Sequence, residues 1–196
     1  MNSVKQALKA VSTETIETAK ALRKLYITRA AFSIIWITLV LTLSKTNPTI
    51  AAVLFIIYPA WDAIATIFDI NANPPITNKT PQYVNFVISS LTTIVVIAAL
   101  QKGIPEALMV FGIWALLAGL IQFIIGLRRR KEFGGQWPMI ISGAQSILAG
   151  VFIFATAHKP NQGVDSLAGY SAFGAFYFIL GAIRLGKTIK STPAIA

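Results

Sequence analysis

IPEALMVFGIWALLAGLIQFIIGL, residues 104–127, carries no charge after Glu106 and stops at the cluster Arg128, Arg129, Arg130 and Lys131. A helix needs about 20 apolar residues to cross roughly 30 Å of hydrocarbon, and this run supplies them. It is continuously apolar, without the alternation that marks a barrel strand. Five further runs of the same kind occupy residues 27–44, 49–70, 82–100, 137–157 and 167–186. The predicted fold is therefore all-α, a polytopic membrane protein with six transmembrane helices.

The spans fall into copies of one unit. Lys45, Lys102 and Lys159 lie 57 residues apart, each directly after an apolar run, in the short loops SKTNP, QKGIP and HKPNQG. A fixed period marks a repeated structural unit. Here the unit is an antiparallel hairpin, repeated three times over about 27–70, 82–127 and 137–186. Residues 1–26 are polar and lack the apolar core of a signal peptide. Val4, Leu8, Val11, Ala19 and Leu22 give this segment an approximate helical face, which fits either an interfacial helix or a frayed tail. The membrane domain is expected over 27–190, with a tail at 191–196. NANPPITNKTP (71–81) and RRRKEFGGQ (128–136) read as loops.

Charge sets the expected orientation. Of 17 Lys and Arg residues, only Lys45, Lys102 and Lys159 fall in the odd-numbered loops, leaving 14 on the other side. The positive-inside rule then puts both termini in the cytoplasm. The net charge of +10 is explained by topology and by attraction to anionic lipid, and nucleic acid is not expected as a partner. The chain has no cysteine, which excludes disulfides, thiolate catalysis and Cys-ligated metals. It also lacks HExxH, P-loop, GxSxG and nicotinamide-binding signatures, so no enzyme activity and no cofactor are expected.

Glycines recur every seven residues: Gly112, Gly119 and Gly126; Gly143 and Gly150; Gly174 and Gly181. Seven residues is two helical turns, so each set forms one stripe. In lipid, close backbone approach across small residues supplies the packing energy. The stripes are read as helix seams, within one chain or between copies in a homo-oligomer. Aligning GIWALLAGLIQ (112–122) with GAFYFILGAIR (174–184) sets Gly112 over Gly174, and a shift of 57 sets Gly119 over Asp62.

Asp62 is the one acid deep in a predicted span. An unpaired carboxylate there costs about 2.5–3.5 kcal/mol on insertion scales. Arg29 and Arg184 are the cations expected at a similar level, so a buried Asp62–Arg29 or Asp62–Arg184 pair is predicted. It serves either as a clamp or as a titrating group in a small proton, ion or solute pathway. The lone His158 sits in the third loop, a solvated residue or a pH sensor, with only Asp165 nearby as a further metal ligand.

The stretch GIWALLAGLIQFIIGLRRRK, with GQWPMIISGAQSILAGVFIF and GYSAFGAFYFILGAIRL after it, resembles the HdeD-like family of bacterial inner-membrane proteins. The likeness is good over 104–186 and weaker over 27–70. The resemblance implies a repeated transmembrane hairpin of unknown biochemical role, a link to acid or envelope stress tolerance, and no catalytic residues.

Overall fold

A computed structural model describes residues 2–74, 77–133 and 136–191, with the side chains of residues 2–12, 132 and 133 excepted. Six helices are present: α1 Asn2–Leu43, α2 Pro48–Ala72, α3 Thr80–Leu100, α4 Ile104–Phe133, α5 Trp137–Thr156 and α6 Ala168–Ser191. A 3₁₀ turn, Val164–Leu167, precedes α6. All six are long and apolar enough to cross a membrane. Proline occupies the first turn of α2, α3 and α5, where its missing N–H costs nothing, and the Asn47 side chain caps α2 by accepting from the Ile50 amide.

Two expected boundaries move. Residues 2–26 are not a separate segment, because α1 runs unbroken into the first span. Ala19, Leu22, Leu25 and Tyr26 are buried with Ala182 and Leu185 of α6, so this part of α1 belongs to the bundle. Likewise α4 continues through the Arg128–Lys131 cluster that was read as loop. Of the expected tail at 191–196, Ser191 ends α6, while residues 192–196 and loop residues 75, 76, 134 and 135 lie outside the described residues.

The helices form a ring in chain order, and α6 closes it against α1. The start of α1, the end of α6 and the facing ends of α2 and α3 and of α4 and α5 lie on one face, the terminal face. The three loop lysines mark the opposite, lysine face. The closest packing is between hairpins, at α4–α5, α1–α6 and α2–α3. The hairpin is thus the unit of repetition, and the seam between hairpins is the unit of packing. Large apolar side chains such as Ile35, Ile94, Leu148 and Phe152 point outward, as expected of surface that faces lipid.

The α4–α5 seam shows what the glycines do. A Cβ on Gly119 would lie 2.9 Å from the Gly143 carbonyl oxygen, and one on Gly150 would lie 2.5 Å from the Leu116 nitrogen. Gly112 and Gly143 are equally tight against facing backbone, and Gly126 lies against Ile140. These five glycines therefore pack within one chain. Gly181 meets the side chains of Met139 and Tyr26 instead of backbone, and Gly174 faces open space. Gly174 is not a seam residue.

That difference corrects the repeat register. Ser33, Ser89 and Ser146 sit on the first helix of each hairpin, 56 and 57 residues apart, and Tyr58, Trp114 and Tyr170 sit on the second helix, 56 apart. Trp114 Nε1 donates to Ser89 Oγ at 3.0 Å, and the Tyr170 and Ser146 hydroxyls bond at 2.9 Å. Tyr58, at the equivalent position in hairpin one, donates to Ser171 at 3.0 Å. Hairpins two and three thus share one aromatic–serine link, and the Tyr58 ring centroid lies 5.8 Å from that of Trp114 and 6.3 Å from that of Tyr170. With a shift of 56, Gly112, Gly119 and Gly126 correspond to Ala168, Ala175 and Ala182, all buried, while Gly174 corresponds to Ala118 and Asp62. Matching glycine to glycine misled because the two sets are small for different reasons: one admits a helix and the other leaves a space.

Gly119→Ala and Gly143→Ala should each lower stability by about 1–3 kcal/mol, the usual cost of overpacking. Gly174→Ala should be neutral or stabilising by up to ~1 kcal/mol through helix propensity. Thermal melts in detergent distinguish the three.

Candidate functional site

From the aromatic–serine ring to the lysine face the bundle interior is apolar, filled by Trp36, Phe55, Val96, Phe111, Ile153 and Leu167 among others. From the ring toward the terminal face it holds a cavity of about 130 Å³. A water needs about 10–15 Å³ by this measure, so there is room for several waters or for a solute of a few non-hydrogen atoms.

Asp62 forms the wall on α2. Its Oδ1 accepts from Arg29 on α1 at 2.6 Å, and its Oδ2 accepts from Asn85 Nδ2 at 2.8 Å and Ser89 Oγ at 2.7 Å, both on α3. Ser89 in turn holds Trp114 of α4, so one carboxylate links four helices. Arg29 also lies 5.5 Å from the centre of the Phe178 ring on α6, and Thr66 accepts from Asn85 at 2.8 Å. Of the two predicted pairs, then, the structure contains Asp62–Arg29. Arg184 is exposed and is not the partner, because residue 184 lies on the lipid-facing side of α6 with Ile183.

A second pair was not foreseen. Asp69 Oδ1 accepts from Arg129 and from Asn73 Nδ2, and both charged side chains are buried. Arg129 also donates to the Tyr26 hydroxyl at 3.4 Å, and Tyr26 donates to Gln136 Oε1 at 3.4 Å. This network ties α2, α4, α1 and the start of α5 together near the terminal face. It explains why α4 does not end at the basic cluster: Arg129 turns inward while Arg128, Arg130 and Lys131 stay exposed. A signal was available, since Tyr58, Asp62, Thr66, Asp69 and Asn73 recur at helical spacing and form one polar stripe along α2.

Three cavity-lining side chains carry polar atoms with no partner: Trp61 Nε1, Gln82 Oε1 and Gln145 Oε1. Gln122 also lines the space and donates to the Met139 carbonyl at 3.4 Å. The space exists because the repeat is unequal. Where hairpin one has Asp62, hairpins two and three have Ala118 and Gly174, and all three positions line the cavity.

His158 lies far from this site, exposed on the lysine face, with Nε2 3.9 Å from Glu106 Oε1. Its expected neighbour Asp165 pairs with Lys45 at 3.3 Å instead. Among the described residues no cluster of three metal-ligating side chains occurs.

Residues 87–155, from α3 to the end of α5, match the family described as a short repeat of unknown function (DUF308). This is the domain family of HdeD-like proteins. No curated protein and no solved structure shows significant similarity to the chain. The similarity covers residues 87–155, and the chain has the make-up of a multi-pass membrane protein, with six helices long and apolar enough to cross a bilayer.

Removing one partner of the inner pair strands a buried charge, which costs about 3–5 kcal/mol. Arg129→Met and Asp69→Leu should each show a loss of that order in chemical denaturation, and the double variant should recover most of it. Equal, additive losses would show that the two residues are not coupled.

Proposed function

We propose that the protein is a non-enzymatic, multi-pass protein of a bacterial inner membrane whose helices enclose a solute-binding cavity open toward the cytoplasm. The observation that carries this reading is that one intramembrane space collects two ion pairs and three unpartnered polar groups. Charged and polar groups in membrane helices are costly unless they line such a cavity or one another. The basic residues support this orientation: Arg29 and Arg129 are partnered inside the bundle, and the other 12 of the 14 belong to the terminal side against three on the lysine side. Exposed Arg128, Arg130 and Lys131, with Arg130 5.7 Å from the Trp137 ring centre, are placed to meet anionic headgroups there.

A non-enzymatic role is supported by how the candidate reactive groups are occupied. Ser89 donates to Asp62 and accepts from Trp114, and Ser146 is held by Tyr170 and the Ala115 carbonyl. Asp62 meets one cation and two neutral donors, which suits a fixed counter-charge better than a proton carrier. A contribution to acid or envelope stress tolerance is the physiological setting that the family resemblance suggests.

Because the chain has no cysteine, Gly174→Cys gives a clean single label site in the cavity wall. In right-side-out and inverted vesicles, a small uncharged thiol reagent, applied with an impermeant thiol scavenger on the opposite side, should modify it from the terminal face and not from the lysine face. No modification of the folded protein from either side would refute the cavity reading. Proton flux into liposomes that Asp62→Asn abolishes without unfolding would replace it with a proton pathway.

A further inference from the structure

We infer that the cavity takes a small, uncharged, hydrogen-bonding solute, of the class of simple amides, ureas and short polyols, in preference to an ion. The inference rests on the cavity reading above and adds the chemical class. It begins with a count of charges. Among the described residues that line the space the charged groups are Arg29, Asp62, Asp69 and Arg129, and each has its counter-charge inside the chain. No single charge is left over to meet an ion, and bringing a bare ion into a low-dielectric interior costs several kcal/mol. An ion could enter only by breaking a pair already held by further hydrogen bonds from Asn85, Ser89 and Asn73.

What remains unpaired is neutral and directional. Buried polar groups are normally satisfied, so those that are not ask for a partner from whatever fills the space. Trp61 offers an indole N–H, which can only donate, and Gln82 and Gln145 offer carboxamides, which accept or donate according to how they are turned. Trp61 is one turn from Tyr58, and Gln145 adjoins Ser146, so both lie near the closed end at the ring. Gln82 is two turns from Ser89 toward the terminal face, about 10 Å along the axis. It is 4% exposed and also lines the basic groove outside, with Thr77, Asn78 and Arg128. A solute arriving from that face meets Gln82 at the entrance and Gln145 and Trp61 at the end.

The lining also has a small, apolar stretch at Ala118 and Gly174, with the Phe178 ring beside Arg29. A site with one neutral donor, two amides and an apolar stretch matches a compact molecule with both donor and acceptor groups. The room at Gly174 sets the size limit, since a Cβ there meets nothing within 4 Å. Gly174→Leu should therefore fill the space without disturbing the helix.

The test is saturable binding of radiolabelled urea, acetamide and glycerol to the purified full chain in nanodiscs, against acetate, ammonium and guanidinium. Binding of at least one neutral probe, reduced more than tenfold in Gly174→Leu and in Gln145→Leu, is expected, while the ions bind at least tenfold more weakly. Melting temperature and circular dichroism report whether each variant is folded. Ions binding as well as or better than the neutral probes would overturn the inference. So would neutral binding that survives Gly174→Leu, or no neutral binding by a protein whose Gly174→Cys variant is labelled from the terminal face. Absence of that labelling would instead remove the cavity reading on which the inference rests.

Discussion

The carboxylate of Asp62 decides how the centre of this bundle is built. Within a membrane-spanning bundle a charge is costly unless it is met by partners, and here the protein itself supplies them to both carboxylate oxygens. Asp62 draws Arg29, Asn85 and Ser89 to one point, and Ser89 extends the link to Trp114. Four of six helices are fixed in rotation and height by one side chain. The Asp69–Arg129 pair does the same nearer the terminal face for α2, α4 and α1. Apolar side chains cannot supply this specificity, because lipid tails are as apolar as the helices themselves.

Two kinds of force therefore divide the work by location. Between hairpins, glycine and alanine let backbones approach, and the gain is van der Waals contact along a seam. On the axis, polar links choose one arrangement among the many that such smooth seams allow. The lysine-face half is closed by aromatic and aliphatic packing around Trp36, Phe55 and Phe111, with the Trp36 indole donating to the Leu54 carbonyl at 3.0 Å. The other half keeps space because two of the three equivalent positions at its centre have almost no side chain.

Much of this could be read from the chain alone, and the reasons for the failures are physical. Six spans and a threefold repeat were legible because hydrocarbon thickness imposes length and the loops recur with their lysines and prolines. The Asp62–Arg29 pair was legible because a lone acid in a span must be answered by a cation at its own depth. Arg129 was misread because a basic run at a span's end ordinarily stays in water, and nothing local says that the second of three arginines turns inward. The answer was on α2, where Asp69 continues the polar stripe two turns from Asp62. Tyr170 escaped because a tyrosine in an aromatic-rich span resembles packing until Ser146 is brought beside it. The repeat register slipped because glycines and loop lysines were used as the markers, whereas the true markers are the less conspicuous serines and their aromatic partners.

The inequality of the three hairpins also bears on how such a protein can exist at all. Three separate copies of one hairpin, associating as a trimer, would share every residue, and an acid at the Asp62 position would appear three times around one axis. Each copy would then carry the same cation or the same small residue, and the axis would be either crowded with like charge or empty of it. Joining the copies into a single polypeptide releases them from that identity. One hairpin can keep Asp62 and Arg29 while the others keep Ala118 and Gly174 at the acid's level and Asn85 and Ser142 at the arginine's. Covalent continuity is thus what turns a symmetric bundle into one with a single, sided interior.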